Sequence, residues 1–514
     1  MVSVDLSEER PVSLASWVEQ RGTEHATRRA FVTGLSSKTW AEVARSVARR
    51  AGALKAAGIQ PGDRVAVLAG QTQANVEFMM ALSWAGVTAV PLNTRLSASE
   101  VFAILQSADV AALAFEEPFG AQSLIAADAV GIARRVLITD GAPDAQPADL
   151  HVWQAESLAA ILFTGGTTGL PKGVMLSAGA LLLQGETVLD ALGYDPDTVV
   201  LQAQPIFHIA GVNQLYASTM AAATIVFRAD AGPAATYEEI ARNGVNSIGA
   251  VPTTLAMLID HPDRNDALLK RVRSVVYGAA PISTGLLGRV AAAMPNARFC
   301  QLYGQTETGP ITALLPVHHA PDGPWGVSKI ETAGQARPHF SLRTVDDDGQ
   351  DVALGQPGEI VVRGPAATVG YWRDPERTAD LFREGWLRTG DAGVLDADGF
   401  IKIVDRYKDM IVTGGENVFS AEVENTLSLH PAVATCAVFG VPDDFWGEAV
   451  HAAVILKEDE AVTGPELIAF CRDRIAGYKC PKVIELRTTP LPLSAVGKVL
   501  KHVLRAEATA RRAA

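Results

Sequence analysis

Residues 161–176 read ILFTGGTTGLPKGVML: an apolar run, a cluster of glycines and threonines, then Pro-Lys-Gly, then apolar residues again. Glycines let backbone N–H groups approach an anion, hydroxyls add donors, and Lys172 supplies charge, which together make a phosphate cradle. The spacing does not fit a P-loop, because no glycine pair brackets four residues ahead of Lys-Ser/Thr. Pro171 also biases Leu170 away from helical geometry. GVMLS after the loop reads as a second strand. The stretch therefore predicts a strand–loop–strand phosphate grip, not the strand–loop–helix grip of a helix N-terminus.

Outward from this loop the pattern alternates. Residues 39–56, TWAEVARSVARRAGALKA, carry apolar residues at three- and four-residue spacing and predict an amphipathic helix stopped by AGIQPGD. RVAVLAG, VTAVPLN, ATIVF, NSIGAVP and SVVYGAAP are short apolar runs separated by helical segments such as EFMMALSWAG. This predicts an α/β domain with buried sheets flanked by helices. From about 340 the texture changes to alternating strands broken by DG and PG turns, a β-rich subdomain over about 340–405. A smaller α+β unit follows over 406–514. Its basic, alanine-rich end (EATARRAA) is expected to fray. The expected boundary is at Asp405–Lys408, between an N-terminal domain 1–405 and a C-terminal domain 406–514.

At 514 residues the chain is too long for one core. Its net charge of −13 excludes a general nucleic-acid binder, which needs a positive surface field. Cys300, Cys436, Cys471 and Cys480 have no CxxC spacing, so neither a disulfide framework nor a zinc site is expected, and a reducing cytoplasm fits. The N-terminus lacks the basic and apolar regions of a signal peptide. The greasiest stretch, LYASTMAAATIVF, is too short to span a membrane and reads as core helix.

The loop resembles, nearly letter for letter, the signature of the adenylate-forming (AMP-binding) superfamily: Tyr/Phe-Thr-Ser-Gly-Thr-Thr-Gly-x-Pro-Lys-Gly-Val. One glycine of the Gly165–Gly166 pair replaces the usual serine, and Ala178 stands where histidine is frequent. Four further segments match in order: YGAAP 277–281, QLYGQTETG 301–309, WLRTGDAG 386–393 and IVDRYKDMIVTGGENVFSAEVE 403–424. PLPLSAVGKVLK 490–501 matches the late Gly-Lys motif. The resemblance runs from about 40 to 505. Singly, Glu307, Asp391 and Lys498 would read as solvated charges; their order and spacing overturn that.

The resemblance implies the roles. Thr164, Gly165, Gly166, Thr167, Thr168, Gly169 and Lys172 would hold the β- and γ-phosphates of ATP, with Thr167 and Glu307 at Mg²⁺. Gly278, Ala279 and Ala280 would flank adenine and Tyr303 would stack near it. Gly304 and Thr306 would lie at the phosphates, and Asp391 and Arg406 would complete the nucleotide site, Asp391 on the ribose hydroxyls. Lys498 would reach between the substrate carboxylate and the α-phosphate. Lys408 would be the hinge of a mobile C-terminal domain, and Gly414, Gly415 and Trp446 would border the CoA tunnel. The acyl pocket would be walled by His208 (in PIFHIAG 205–211, also a catalytic candidate), Val251, Thr254, Tyr277, Gly278 and Gln305.

The PIFHIAG segment has no aspartate to grip a substrate ammonium, and these strips have no arginine to pair a second carboxylate. A fatty or other apolar monocarboxylic acid is therefore the expected substrate, with ATP and CoA as co-substrates. The alternative is an acyl-AMP ligase that loads a carrier protein. A luciferase-like oxygenase using the same adenylate is a third reading, by analogy only. The sequence leaves chain length and oligomeric state open, a homodimer being one option.

Overall fold

The computed structural model describes residues 11–164, 171–228, 232–280, 282–319, 329–413, 416–443, 446–458, 460–493 and 499–513. Thr39 opens helix Trp40–Ala56 through a reciprocal capping box with Glu42, satisfying two otherwise orphaned N–H groups. The chain then enters strand Arg64–Leu68, whose last four residues are buried. The same helix-to-strand rhythm gives helix Gln73–Trp84 and strand Thr88–Pro91. The apolar run LYASTMAAATIVF divides between helix Ile209–Met220 and strand Thr224–Phe227. No described helix is long and apolar enough to cross a membrane.

Contacts divide the chain into two compact units, Met1–Leu342 with Val362–Leu387, and Arg343–Val361 with Arg388–Ala514. The first unit holds two large sheets. One is nine-stranded, with a parallel centre that includes Ser247–Ala250, Ser274–Gly278 and Arg298–Gln305, and with Gly309–Leu314 antiparallel beside the last. The other is seven-stranded and ends in Leu158–Thr164, Lys172–Ser177 and the two-residue strand Gly370–Tyr371. Leu158–Thr164 and Lys172–Ser177 pair antiparallel with Thr164 opposite Lys172, so the loop joins two adjacent strands as the sequence indicated.

The β-rich region forms a five-stranded sheet that includes Ser341–Val345, Pro357–Arg363, Trp386–Leu395 and Ile401–Arg406. The expected GVLDADGFIKIV hairpin is present, with Leu395 opposite Ile401. A last five-stranded sheet centres on Gly447–Leu456, with helices Ser420–Ser428 and Gly464–Arg472 in the same unit.

The C-terminal end differs from the sequence reading. Lys501–Ala513 is a helix, not a frayed tail. Leu504 and Ala508, one helical turn apart, are buried in a cluster with Ala437, Phe439 and Val441, and Arg505 pairs with Glu448 at 2.5 Å. Two apolar residues at i, i+4 suffice to dock the helix, a stripe too narrow to read from a basic sequence.

Candidate active site

The loop's two strands fix one end of the site. Residues 165–170, which include Gly165, Gly166, Thr167, Thr168 and Gly169, lie outside the described residues. On the first strand, the Thr164 hydroxyl is buried and makes no hydrogen bond among the described residues. Opposite it, Lys172 Nζ lies 2.8 Å from Glu307 Oε1. Glu307 is 4% exposed, so this is a buried carboxylate compensated by a cation.

A third group completes the pair. The Tyr371 hydroxyl donates to Glu307 Oε1 at 2.7 Å and accepts from Lys172 Nζ at 2.7 Å, with the ammonium 4.6 Å from the ring centroid. Burial, with the Glu307 charge second, holds the Tyr371 phenol well above its ordinary pKa, so it stays a neutral donor. Its segment is laced to both neighbours. Thr368 N–H donates to Glu307 O at 2.7 Å, the Thr368 hydroxyl donates to Met175 O at 2.6 Å, and Trp372 N–H donates to Gly173 O at 2.7 Å. The sequence reading missed Tyr371. Its only local signal is a Gly-Tyr pair ahead of an Asp-Pro helix start, and nothing in the spacing ties it to Lys172, 199 positions earlier.

The QTETG turn is built tightly. Thr308 Oγ1 accepts from Gln305 N–H at 3.2 Å while Thr308 N–H donates to Gln305 O at 3.1 Å, curling the chain so that Glu307 points inward. A Cβ on Gly304 would fall 1.8 Å from Gly309 O, so only glycine fits. Thr306 is half-buried on the same turn. Tyr303 lies on strand Arg298–Gln305, beside the YGAAP segment because Gly278 pairs with Leu302. Ala279 and Ala280 are exposed at the end of that strip, and Ala279 holds φ +63°, a strained conformation for a residue with a side chain.

The acyl-pocket candidates divide. Thr254 lines an apolar cavity with Leu201, Ala203, Ile248 and Gly249. Val251 is 38% exposed at the N-cap of helix Pro252–Ile259. His208 is exposed at the N-cap of helix Ile209–Met220, its ring edge-on to Phe207 at 4.7 Å. Gln305 is half-buried at its strand's end. Gly278 is held by a Cβ exclusion of 2.3 Å from Leu302 O. Tyr277 is buried in the core. Its hydroxyl bonds His319 Nε2 at 2.9 Å, while His319 Nδ1 lies 2.9 Å from Leu315 O. A carbonyl only accepts, so Nδ1 carries the proton and Nε2 accepts from Tyr277. Burial holds the His319 pKa down to about 4.

In the second unit, Asp391 is buried and sits opposite Arg406 across the Trp386–Leu395/Ile401–Arg406 pair. The Arg406 and Lys408 side chains, Gly414, Gly415 and Lys498 lie outside the described residues. The backbone of Lys408 falls in the short turn Tyr407–Asp409. The segment holding Lys498 is bracketed by a bridge between Leu493 and Val499. Trp446 is 40% exposed, with Lys482 Nζ 4.9 Å from its ring centroid.

Comparison with known proteins gives the family. Residues 18–372 match the AMP-binding enzyme family and residues 422–498 the AMP-binding enzyme C-terminal domain. A feruloyl-CoA synthase from Amycolatopsis sp is 37% identical over 96% of this chain and 99% of its own. A fatty acid–[acyl-carrier-protein] ligase from Streptomyces coeruleorubidus is 34% identical over 91% of each. The o-succinylbenzoate CoA synthetase from Bacillus subtilis, solved with its acyl-adenylate intermediate, superposes with a TM-score of 0.85 at 30% identity, covering 95% of this chain and 97% of that one.

Proposed function

The chain belongs to the AMP-binding enzyme family, and from that premise we propose that it joins an apolar monocarboxylic acid, aliphatic or aromatic, to CoA. The carboxylate attacks the α-phosphorus of ATP, pyrophosphate leaves, and an acyl-adenylate is held. The CoA thiolate then attacks the acyl carbon and AMP leaves. No general base is needed for the first step, because the acid is ionised at neutral pH.

The observation that carries this reading is the pair of Lys172 with the buried Glu307 carboxylate at the mouth of the glycine–threonine hairpin. It sets a cation for phosphate beside a carboxylate, and the Thr164 hydroxyl, without a partner among the described residues, adds a donor. A single carboxylate is the donor set that suits Mg²⁺, a hard cation that arrives already bound to phosphate oxygens. Glu307 and Thr167 would hold it, and when bound it supplies positive charge against the pyrophosphate. Lys498 would act between carboxylate and α-phosphate, where two anions must meet. Asp391 and Arg406 would hold the ribose end, and Gly278–Ala280 with Tyr303 the adenine.

The substrate class is supported by a relative named for ferulate, an aromatic monocarboxylic acid, and by one named for a fatty acid. In the second half-reaction, residues 406–514 would turn about Lys408 and bring Gly414, Gly415 and Trp446 to the CoA path. Four unpaired cysteines fit a reducing cytoplasm. The relative named as a carrier-protein ligase favours a second reading, in which a phosphopantetheinylated protein replaces CoA. Thioester formation from a panel of acids, with CoA and with a phosphopantetheinylated carrier protein as rival acceptors, separates the two. Turnover with the carrier alone would displace the CoA reading.

A further inference from the structure

We propose that Tyr371 is a positioning residue of the nucleotide site, whose hydroxyl lets Lys172 leave Glu307 for a phosphate without stripping the buried carboxylate of hydrogen bonds. This rests on the reading of Lys172 and Glu307 as phosphate and Mg²⁺ groups.

Two donors meet on one oxygen. Glu307 Oε1 receives both Lys172 Nζ at 2.8 Å and the Tyr371 hydroxyl at 2.7 Å, and that hydroxyl also accepts from Lys172 at 2.7 Å. A cation that binds a triphosphate has to give up part of its hold on the carboxylate. In a buried site an unpaired carboxylate is costly, and the cost is charged against nucleotide affinity. The Tyr371 hydroxyl remains on Oε1 whichever way Lys172 turns. It also offers Lys172 a fixed acceptor, which limits the directions the ammonium can take.

The backbone makes this placement rigid. Tyr371 pairs with Val174 on the strand that carries Lys172, while Thr368 N–H donates to the carbonyl of Glu307 itself. Gly370 at φ +131° lets the chain turn there, and a Cβ at this position would stand 2.5 Å from Thr378 Cγ2. Tyr371 N–H in turn donates to Thr378 Oγ1 at 2.9 Å. A tyrosine anchored on both sides holds its hydroxyl at a set point between two groups drawn from distant parts of the chain.

The test is equilibrium binding of a non-hydrolysable ATP analogue by calorimetry, in EDTA and in saturating Mg²⁺, for wild type and Tyr371→Phe. With metal absent, freeing Lys172 in the variant takes from Glu307 Oε1 both donors it has among the described residues, so Kd should rise about tenfold, the size of one hydrogen bond to a charged group. With Mg²⁺ present, the metal compensates the carboxylate and the ratio should shrink to about threefold or less. A purely structural role would weaken binding equally in both conditions, and that result overturns the proposal. The same comparison in a Glu307→Gln background is the second arm, because the Tyr371→Phe effect should vanish once the carboxylate is gone. An undiminished effect there also overturns it. If Lys172→Ala and Glu307→Gln leave nucleotide binding unchanged, the underlying reading of the site fails instead.

Discussion

Lys172 and Glu307, 135 positions apart, form a partly buried ion pair at 2.8 Å, Lys172 from a strand of one large sheet and Glu307 from the turn joining two strands of the other. Each is assigned a different part of Mg·ATP. On that proposed assignment, a ligand that takes up Lys172 or Glu307 competes with an existing bond.

Removing the cation should show this directly. Lys172→Ala leaves Glu307 buried with Tyr371 as its remaining partner in the trio. The KM for ATP in pyrophosphate exchange should rise by tenfold or more, about 1.4 kcal/mol or more. An unchanged KM for ATP would remove Lys172 from the phosphate site.

Ala279 tests the adenine strip. Its φ of +63° is tolerable for alanine, easy for glycine and severely strained for a β-branched residue. Ala279→Val should lower the melting temperature by several degrees, about 1–3 kcal/mol, while Ala279→Gly should not destabilise. Equal melting temperatures for the two variants would show that the backbone there relaxes freely.

His319 gives a pH dependence with a definite sign. Its folded pKa is held to about 4, below the ordinary value of 6.5, chiefly by burial, with neighbouring His318 adding in the same direction. The unfolded chain therefore takes up a proton first as pH falls. The contribution is intact above about pH 6.5 and is lost progressively towards pH 4, amounting to roughly 2–3 kcal/mol at most. Thermal melts at pH 7 and 4.5 should show a smaller acid loss for His319→Gln than for wild type. An identical acid loss in both would assign it to other groups.

Lys501 anchors the start of the last helix. Its Nζ lies 2.8 Å from Glu424 Oε1 and donates to Ser420 Oγ, which donates to Asp405 Oδ2 at 2.6 Å. Burial raises the Glu424 pKa, with Lys501 the leading opposing influence. Lys501→Ala should destabilise the second unit by about 2–3 kcal/mol, and Lys501→Arg should recover part of it. Limited proteolysis of the C-terminal region reads this. Equal cleavage rates in wild type and Lys501→Ala would mean the pair is energetically idle.

The sequence carried the architecture where local chemistry is decisive. The run GVMLS read as a second strand after the loop, and the structure pairs Thr164 with Lys172 as expected. The strand around Tyr277 was legible from its β-branched and apolar run. Tyr371 was not, because its meaning lies in a contact with residues 199 and 64 positions away. The core placement of Tyr277 was hidden for a related reason. Its partner His319 lies 42 positions on, so no local pattern distinguishes a pocket wall from a core tyrosine. The C-terminal helix escaped because its docking stripe is two residues wide.

On the proposed function, this chain makes an acyl-adenylate with Lys498 acting in the first step. Acid-dependent exchange of labelled pyrophosphate into ATP, without CoA, measures that step alone. Wild type should exchange with an apolar monocarboxylic acid. Lys498→Ala should lose exchange by a hundredfold or more, about 2.7 kcal/mol, yet still form thioester from supplied acyl-AMP and CoA. Exchange that persists in Lys498→Ala, or that no acid elicits from the wild type, would contradict the claim.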